Sequence, residues 1–363
     1  MRRPKDYLSL INPFEIVRTK KVLQVNPTLQ AFRKDAEHTN VSVYDYTRDH
    51  VNHEKTESLE ICYNNINDKS INWINIDGLK KCDVEEVCHH FNIHPLIAED
   101  ILSVGQRPKM DEIDDVLFCL LNMLFYNEAE RSLETEQISI VLNSHFVISF
   151  QEDPAKDVFN PLREKLKIRG SKVRQNGPDF LFYSLIDMIV DHYFTVMEKL
   201  GENIETLEED IIRRSDTRSL ARINMLRKEM IVLKRNVSPV RDMVNGILRS
   251  ESVLIEEKTE KYFKDVYDHI VQANELAESY RDMMINLQDL YLSKVNLKMN
   301  EVMKVMAIVT CLLAPATVIG GIFGMNFERI PWLHNTYGFF FAVGLMLIIP
   351  IYLIFLFKKK GWF

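Results

Sequence analysis

The chain has 363 residues, enough for two or three domains, and a formal net charge of −7. That sign excludes nucleic acid as a general partner. Charged residues make up 27% of the sequence but thin out toward its end, which separates a polar body from an apolar foot.

The first residues, Met1-Arg2-Arg3-Pro4-Lys5-Asp6, are polar, so no apolar leader with a cleavage site is expected there. The first third then mixes two periods. Val41–Tyr46 alternates, and Trp73–Asp77 reads as a strand ended by Gly78. Val116–Phe125, Ile138–Leu142 and Phe146–Phe150 are short apolar runs, and Asn143-Ser144 suits a hairpin turn between the last two. Asp83–Phe91 and Pro95–Leu102 read as helices. Together they predict a cytoplasmic α/β domain of α/β/α layers over residues 1–177.

Five cysteines are scattered through the chain, at Cys62, Cys82, Cys88, Cys119 and Cys311. An odd set without regular spacing argues against a disulfide framework and for a reducing compartment. Cys82, Cys88, His89 and His90 lack the paired spacing of a zinc site, and a helix face explains them more simply.

From Pro178 the pattern is helical, and residues 178–246 are expected to form antiparallel helices. The first ends acidic, with Glu202, Glu205, Glu208, Glu209 and Asp210. The second carries Arg222, Arg227, Lys228, Lys234 and Arg235, so facing charge is expected between them. From Ile247 to Ala314 there is neither glycine nor proline. One helix of that length would reach ~100 Å at ~1.5 Å per residue. A stalk helix is therefore expected over 247–303. Its stripe of Ile270, Ala273, Leu276, Ala277, Leu287, Leu290 and Leu292 is expected to pack against the stalks of other chains.

Two stretches, Val305–Phe327 and Gly338–Phe357, hold no charge, and each is long enough to cross ~30 Å of hydrocarbon. The expected segments are a first transmembrane helix at 304–326, an external loop at 327–337, a second transmembrane helix at 338–357 and a basic tail at 358–363. Lys358, Lys359 and Lys360 follow the second span, and Lys298 and Lys304 precede the first. By the positive-inside rule both termini face the cytoplasm, as in an integral protein of the cytoplasmic (inner) membrane. On the first span, Ala307, Thr310, Ala314, Thr317, Gly321 and Gly324 recur every three or four residues. Such a stripe serves close helix packing or lines a narrow lumen. Gly324-Met325-Asn326 closes the span at the tip of the hairpin.

That tripeptide between two spans resembles the CorA family of magnesium transporters, as do Asn300-Glu301-Val302-Met303-Lys304-Val305, Gly320–Glu328 and Tyr262–His269. The resemblance implies a homopentameric funnel in the lipid bilayer that passes Mg²⁺, with Co²⁺ and Ni²⁺ as further cargo, and has no organic cofactor and no enzymatic activity. It places Asn300, Met303, Met306, Ala314, Thr317 and Asn326 along the pore. The asparagine amide would meet a hydrated ion without trapping it, since Mg²⁺ gives up its water reluctantly. Met303 and Met306 would gate by narrowing and drying the inner mouth. Glu328, the loop's only acid, would gather cations outside. Regulatory Mg²⁺ would bind between subunits at Asp100 and Asp265, with Glu99, Asp187 and Asp268 nearby. The chain departs from the family at Ala314, where relatives carry a bulky methionine, and at Phe323, where they carry tyrosine.

No Walker loop is present, and an inside-negative potential suffices to draw a divalent ion inward. Two alternatives stand beside this reading. One is a Zn²⁺ transporter of the same fold, moving its cargo outward or with protons. The other is a membrane-anchored enzyme or scaffold, whose nearest candidate site is His94 with Glu99 and Asp100.

Overall fold

A computed structural model describes residues 35–64, 70–213, 216–325, 331 and 335–362. Two compact units make up the chain. The first ends at Glu208 and resumes over Ala221–Ile285, and the second comprises Glu209–Leu220 and Asn286–Phe363.

The first unit is built on a seven-stranded sheet of order β2-β1-β3-β7-β6-β5-β4. The strands are β1 (Asn40–Tyr46), β2 (Val51–Thr56), β3 (Ile71–Asp77), β4 (Lys109–Ile113), β5 (Val116–Asn127), β6 (Ser132–Leu142) and β7 (Phe146–Gln151). All neighbours are antiparallel except β3 and β7, which pair in parallel. One face buries Ile74, Ile76, Phe118, Leu120 and Ile148 under helices α2 (Lys81–His90) and α3 (Pro95–Leu102). On the opposite face Trp73 meets Phe159 edge-on at 6.2 Å, beside α4 (Asn160–Lys167), and the Tyr193 hydroxyl donates to the Asn122 carbonyl at 2.7 Å. Helices on both faces give the α/β/α layers that the sequence predicts. The short α1 (Glu60–Asn64) and α5 (Lys172–Gln175) complete the layers.

The apolar runs become strands because alternate residues must serve both faces, and both faces are covered. Gly78 ends β3 at φ +90°, where a Cβ would lie 2.3 Å from the His38 carbonyl oxygen. Only glycine fits there. The second face also buries a polar chain. Trp73 Nε1 donates to Ser149 Oγ at 3.0 Å, Ser149 Oγ to Asn75 Oδ1 at 2.6 Å, and Asn75 Nδ2 to Asp77 Oδ1 at 2.7 Å. Burial and the nearby Asp157 carboxylate push Asp77 up to about 6.

Helix α6 (Pro178–Arg213) and helix α7 (Thr217–Arg249) follow. Helix α8 runs over Glu257–Phe323, so the long helix expected from residue 247 starts at Glu257 instead. The break needs no glycine or proline. Ser252 Oγ accepts from Leu254 N–H at 3.3 Å, and Asp179 Oδ2 accepts from Glu256 N–H at 3.1 Å, so side-chain oxygens satisfy the reversing backbone. The charged faces also pair differently from expectation at one position: Lys234 of α7 bonds Glu278 of α8 at 3.0 Å.

A second correction concerns the stalk stripe. Ile270 and Ala273 are 0% exposed and Ala277 is 4% exposed inside the first unit of a single chain. Their partners are intramolecular, because α6 and α7 already offer apolar faces to this part of α8. A Cβ at Gly201 of α6 would lie 2.7 Å from the Tyr280 hydroxyl, and Ser238 Oγ of α7 donates to Asn274 Oδ1 at 2.7 Å.

In the second unit, the remainder of α8 and helix α9 (Gly338–Lys359) bury Ile308 and Ala342. Trp362 stacks on Phe357 at 5.3 Å, and Lys304 Nζ reaches the Gly361 carbonyl at 3.4 Å.

Candidate metal centre and ion path

An aromatic seam sets α6 against the start of α8. Tyr183 lies 5.2 Å from Tyr262 and 5.7 Å from Phe263, while Phe180 meets Tyr262 at 5.0 Å. These rings register the next turn of each helix. Asp187 and Asp191, four residues apart, share one face of α6. His269 of α8 meets them, and the three offer ligand atoms within 4.8 Å of one another. His269 Nδ1 lies 3.6 Å from Asp191 Oδ1.

The electrostatics of this group favour a cation. Burial, then the Asp191 carboxylate, hold Asp187 above the ordinary carboxylate range, against a hydrogen bond from Tyr183 and the pull of His269. Asp265 adds to the repulsion. A divalent ion among two carboxylates and an imidazole would relieve it. Oxygen donors suit Mg²⁺, and the ring nitrogen adds an affinity for Co²⁺ and Zn²⁺.

The structure therefore joins some of the expected regulatory residues and not others. Asp187 belongs to the group, and Asp265 lies close enough to influence it. Asp265 and Asp268 are exposed on α8, and Glu99 is exposed on α3. Asp100 stands apart, with its carboxylate held by Gln106 and Lys109. Among the described residues, no three-residue metal-ligating group contains Glu99, Asp100, Asp265 or Asp268. Sequence reasoning passed over Asp191 and His269. The i, i+4 spacing from Asp187 and the position of His269 beside Asp268 were the available signals.

The alternative centres have ordinary explanations. His94 Nδ1 accepts from Leu96 N–H at 3.2 Å and so caps α3. Cys88 is buried, Cys82 bonds Asp83, and all five cysteines are free thiols. Burial pushes the Cys88 thiol up to about 12, far from thiolate chemistry.

Along the expected ion path, Asn300, Met303, Met306, Ala314 and Thr317 are all exposed on α8 of the single chain. The Thr310 and Thr317 hydroxyls donate to the Met306 and Leu313 carbonyls, at 2.9 and 3.1 Å, leaving their lone pairs available. Gly324 N–H still bonds the Gly320 carbonyl at 2.9 Å, so helical bonding persists up to the tripeptide. Met325 is half exposed. Asn326 and Glu328 lie outside the described residues.

Comparisons with known proteins agree on one family. The model of the family described as CorA-like Mg²⁺ transporter protein matches residues 68–359. The cobalt/magnesium transport protein CorA of Thermotoga maritima is 37% identical over 332 residues, covering 91% of this chain and 93% of that one. The complete structure of the CorA magnesium transporter of Methanocaldococcus jannaschii superposes with a TM-score of 0.73 at 22% identity, over 89% of this chain and 98% of that one. The cytoplasmic domain of ZntB from Vibrio parahaemolyticus is similar in fold, with a TM-score of 0.57 at 15% identity, over 71% of this chain and 99% of that domain. Sequence and fold thus converge, and the chain belongs to the CorA-like Mg²⁺ transporter family.

Proposed function

We propose that this protein carries Mg²⁺, and with it Co²⁺, across the cytoplasmic membrane as a homopentamer whose soluble body senses internal Mg²⁺. One observation carries the reading above the others: the apolar C-terminal part of α8 and helix α9 are largely unburied, and in the sequence Gly324-Met325-Asn326 lies between them. Just before the span, Leu292, Val295, Met299 and Val302, spaced three or four residues apart along one side of α8, are exposed. An apolar stripe left exposed at that position calls for neighbouring chains, whose packing would remove it from water. Five copies around a common axis would turn Asn300, Met303, Met306, Ala314 and Thr317 inward. Ala314 makes the middle of that lumen wider than a methionine would.

Ion movement needs no fuel. A divalent ion falling through ~100 mV gains about 4.6 kcal/mol, twice the value for a single charge. Regulation would act through the acids of the body. Asp187, Asp191 and His269 form the core of that site, and loading it with Mg²⁺ would stiffen α6 against α8 and hold the path closed.

His269 also favours a second reading, Zn²⁺ as cargo or regulator, since imidazole is a better ligand for Zn²⁺ than for Mg²⁺. Purified protein in vesicles loaded with a Mg²⁺-sensitive dye decides both questions. Uptake under an inside-negative potential is expected, lost with Asn326→Ala and weakly inhibited by equimolar Zn²⁺. Full uptake by Asn326→Ala would remove the tripeptide from the ion path, and Zn²⁺ flux exceeding Mg²⁺ flux would favour the second reading.

A further inference from the structure

Helix α9 ends in an ordered cap. Lys360 N–H donates to the Leu356 carbonyl at 3.1 Å, Gly361 N–H to the Lys358 carbonyl at 3.2 Å and Trp362 N–H to the Phe357 carbonyl at 3.0 Å. Gly361 permits this with a φ of +69°, in the left-handed region. The last two bonds are those of a Schellman motif, and its usual apolar contact is Trp362 lying flat on Phe357, at an interplanar angle of 6°. Backbone donors thus satisfy the carbonyls of Leu356, Phe357 and Lys358, so the side chains of Lys358, Lys359 and Lys360 are not needed as caps.

Those three lysines are exposed and follow one another, so at ~100° per residue they spread around the helix end. Lys304 of α8 brings a fourth cation, its Nζ 3.4 Å from the Gly361 carbonyl. An ammonium has three N–H donors, and this contact uses one. After Glu301 the sequence holds a single acid, Glu328, and among the described residues no carboxylate pairs with any of the four lysines. The cations also border an apolar surface: Trp362 is 41% exposed, and Ile351 and Phe355 of α9 are 65% and 69% exposed. A free phosphate would meet only the charge, whereas a phospholipid meets both, its phosphate among the ammonium groups and its acyl chains along the apolar face.

We propose that Lys304, Lys358, Lys359 and Lys360, framed by Trp362, form a binding site for the phosphate headgroup of an anionic phospholipid. This rests on the reading that α8 and α9 cross the membrane with this end at its cytoplasmic face. Indole rings concentrate at the boundary between hydrocarbon and headgroups, so Trp362 sets the depth of the cap and leaves the neighbouring ammonium groups level with the phosphates. Basic groups between spans on that side attract anionic headgroups, each residue adding to the attraction. A phosphate shared by Lys304 and the lysines of α9 ties the two spans together beside Met303.

The test is native mass spectrometry of the purified full-length protein in detergent, titrated with phosphatidylglycerol or with phosphatidylcholine of the same acyl chains. Phosphatidylglycerol is expected to bind at least about tenfold tighter. Lys304→Gln is expected to weaken it about fivefold, the scale of one basic residue, and the combined Lys358→Gln, Lys359→Gln and Lys360→Gln variant to erase the preference. Gly361→Ala keeps every charge but strains the left-handed cap, where an added Cβ meets no other atom within 4 Å, and is expected to weaken phosphatidylglycerol several-fold. Inorganic phosphate at matched ionic strength is expected to leave the bound lipid in place. Thermal melts of the soluble body verify that each variant is folded, and Lys304→Gln and Gly361→Ala each supply the test if the triple variant is not. Equal affinity of the parent for the two lipids, or a preference that survives the triple substitution, overturns the proposal. An unaltered preference in Gly361→Ala overturns the site as built, and displacement by inorganic phosphate assigns the lysines to a soluble anion instead. Mg²⁺ uptake into vesicles of the two lipids mixed scores the underlying reading separately: without uptake the transport reading fails, and uptake without a lipid preference sinks this inference alone.

Discussion

Helices α6 and α9 are both long and apolar enough to cross a membrane, yet they occupy different environments. The most apolar stretch of α6 has a mean hydropathy of 1.3 and is 67% buried by the chain itself, whereas that of α9 has 2.7 and is 6% buried. The cause is how the apolar residues are arranged. Helix α6 has one stripe, with Phe182, Ile186, Ile189, Tyr193 and Leu200 all at 0% exposure, and its other face carries Asp187, Asp191 and Glu198. A stripe can be covered by neighbouring helices and a sheet. Helix α9 is apolar all round. Phe339, Phe340, Phe341, Leu347, Ile348, Ile351, Tyr352 and Phe355 are each more than half exposed, a surface that only an apolar solvent can accommodate. Asp187 and Asp191, on that polar side, are the acids that meet His269, so the amphipathic character of α6 supplies both the packing and the candidate metal site.

The strongest way to break this comparison is to place the same charge in both helices. Ile189→Arg is expected to unfold the body, costing more than about 4 kcal/mol, because the charge enters a packed core without a partner. Circular dichroism melts of the detergent-solubilised protein would measure it. Ile348→Arg is expected to leave that melt unchanged and instead cost about 3 kcal/mol in membrane insertion, read from the inserted fraction in microsomes. Equal loss of folding in both variants would erase the distinction.

A smaller effect, of similar size to the insertion penalty, sharpens the comparison from the polar side. Glu136 is 2% exposed, and its Oε1 accepts from the Glu152 and Asp153 N–H groups at 3.0 and 2.9 Å. Burial pushes it up from 4.5 to about 7. A raised carboxyl means that the fold prefers the protonated form. The destabilisation is therefore absent below about pH 4.5, grows through the window up to about 7 and is complete above it. Glu136→Gln keeps the accepting oxygen and removes the charge. Its stability relative to the parent is expected to rise through that window by roughly 3 kcal/mol, measured by urea denaturation at pH 5 and pH 8. A difference independent of pH would refute it.

The smallest effect lies on the body's surface. Lys234 and Glu278 are 41% and 61% exposed, and Lys234→Ala is expected to cost no more than about 0.5 kcal/mol in the same denaturation experiment. A larger loss would mean that the contact between α7 and α8 depends on charge rather than on Val237, Val240, Ile270 and Ala273, which are 0% exposed.

Period and composition alone determine much of this protein. The alternation of β1, the continuous runs of β3, β5 and β7, the turn at Asn143-Ser144, the opening of α6 at Pro178 and the two uncharged stretches are all local patterns, and local patterns are what a sequence displays directly. Strands β2 and β4 were not legible. Val51-Asn52-His53-Glu54-Lys55-Thr56 and Lys109-Met110-Asp111-Glu112-Ile113 are polar edge strands, formed because an apolar neighbour offers them a ladder. The break between α7 and α8 was hidden because it is stabilised by Ser252 and the distant Asp179 instead of a glycine or proline.

Tertiary structure alone decided which acids face one another. Asp187 and Asp191 lie far from His269 along the chain, and only the aromatic seam between α6 and α8 brings them within ligand distance. Likewise Asp100 reads as an open carboxylate until the turn after α3 swings Lys109 onto it. Spacing along a helix fixes which residues share its face, but the partner across the gap depends on how two surfaces dock, and docking is settled by the packing of the whole core.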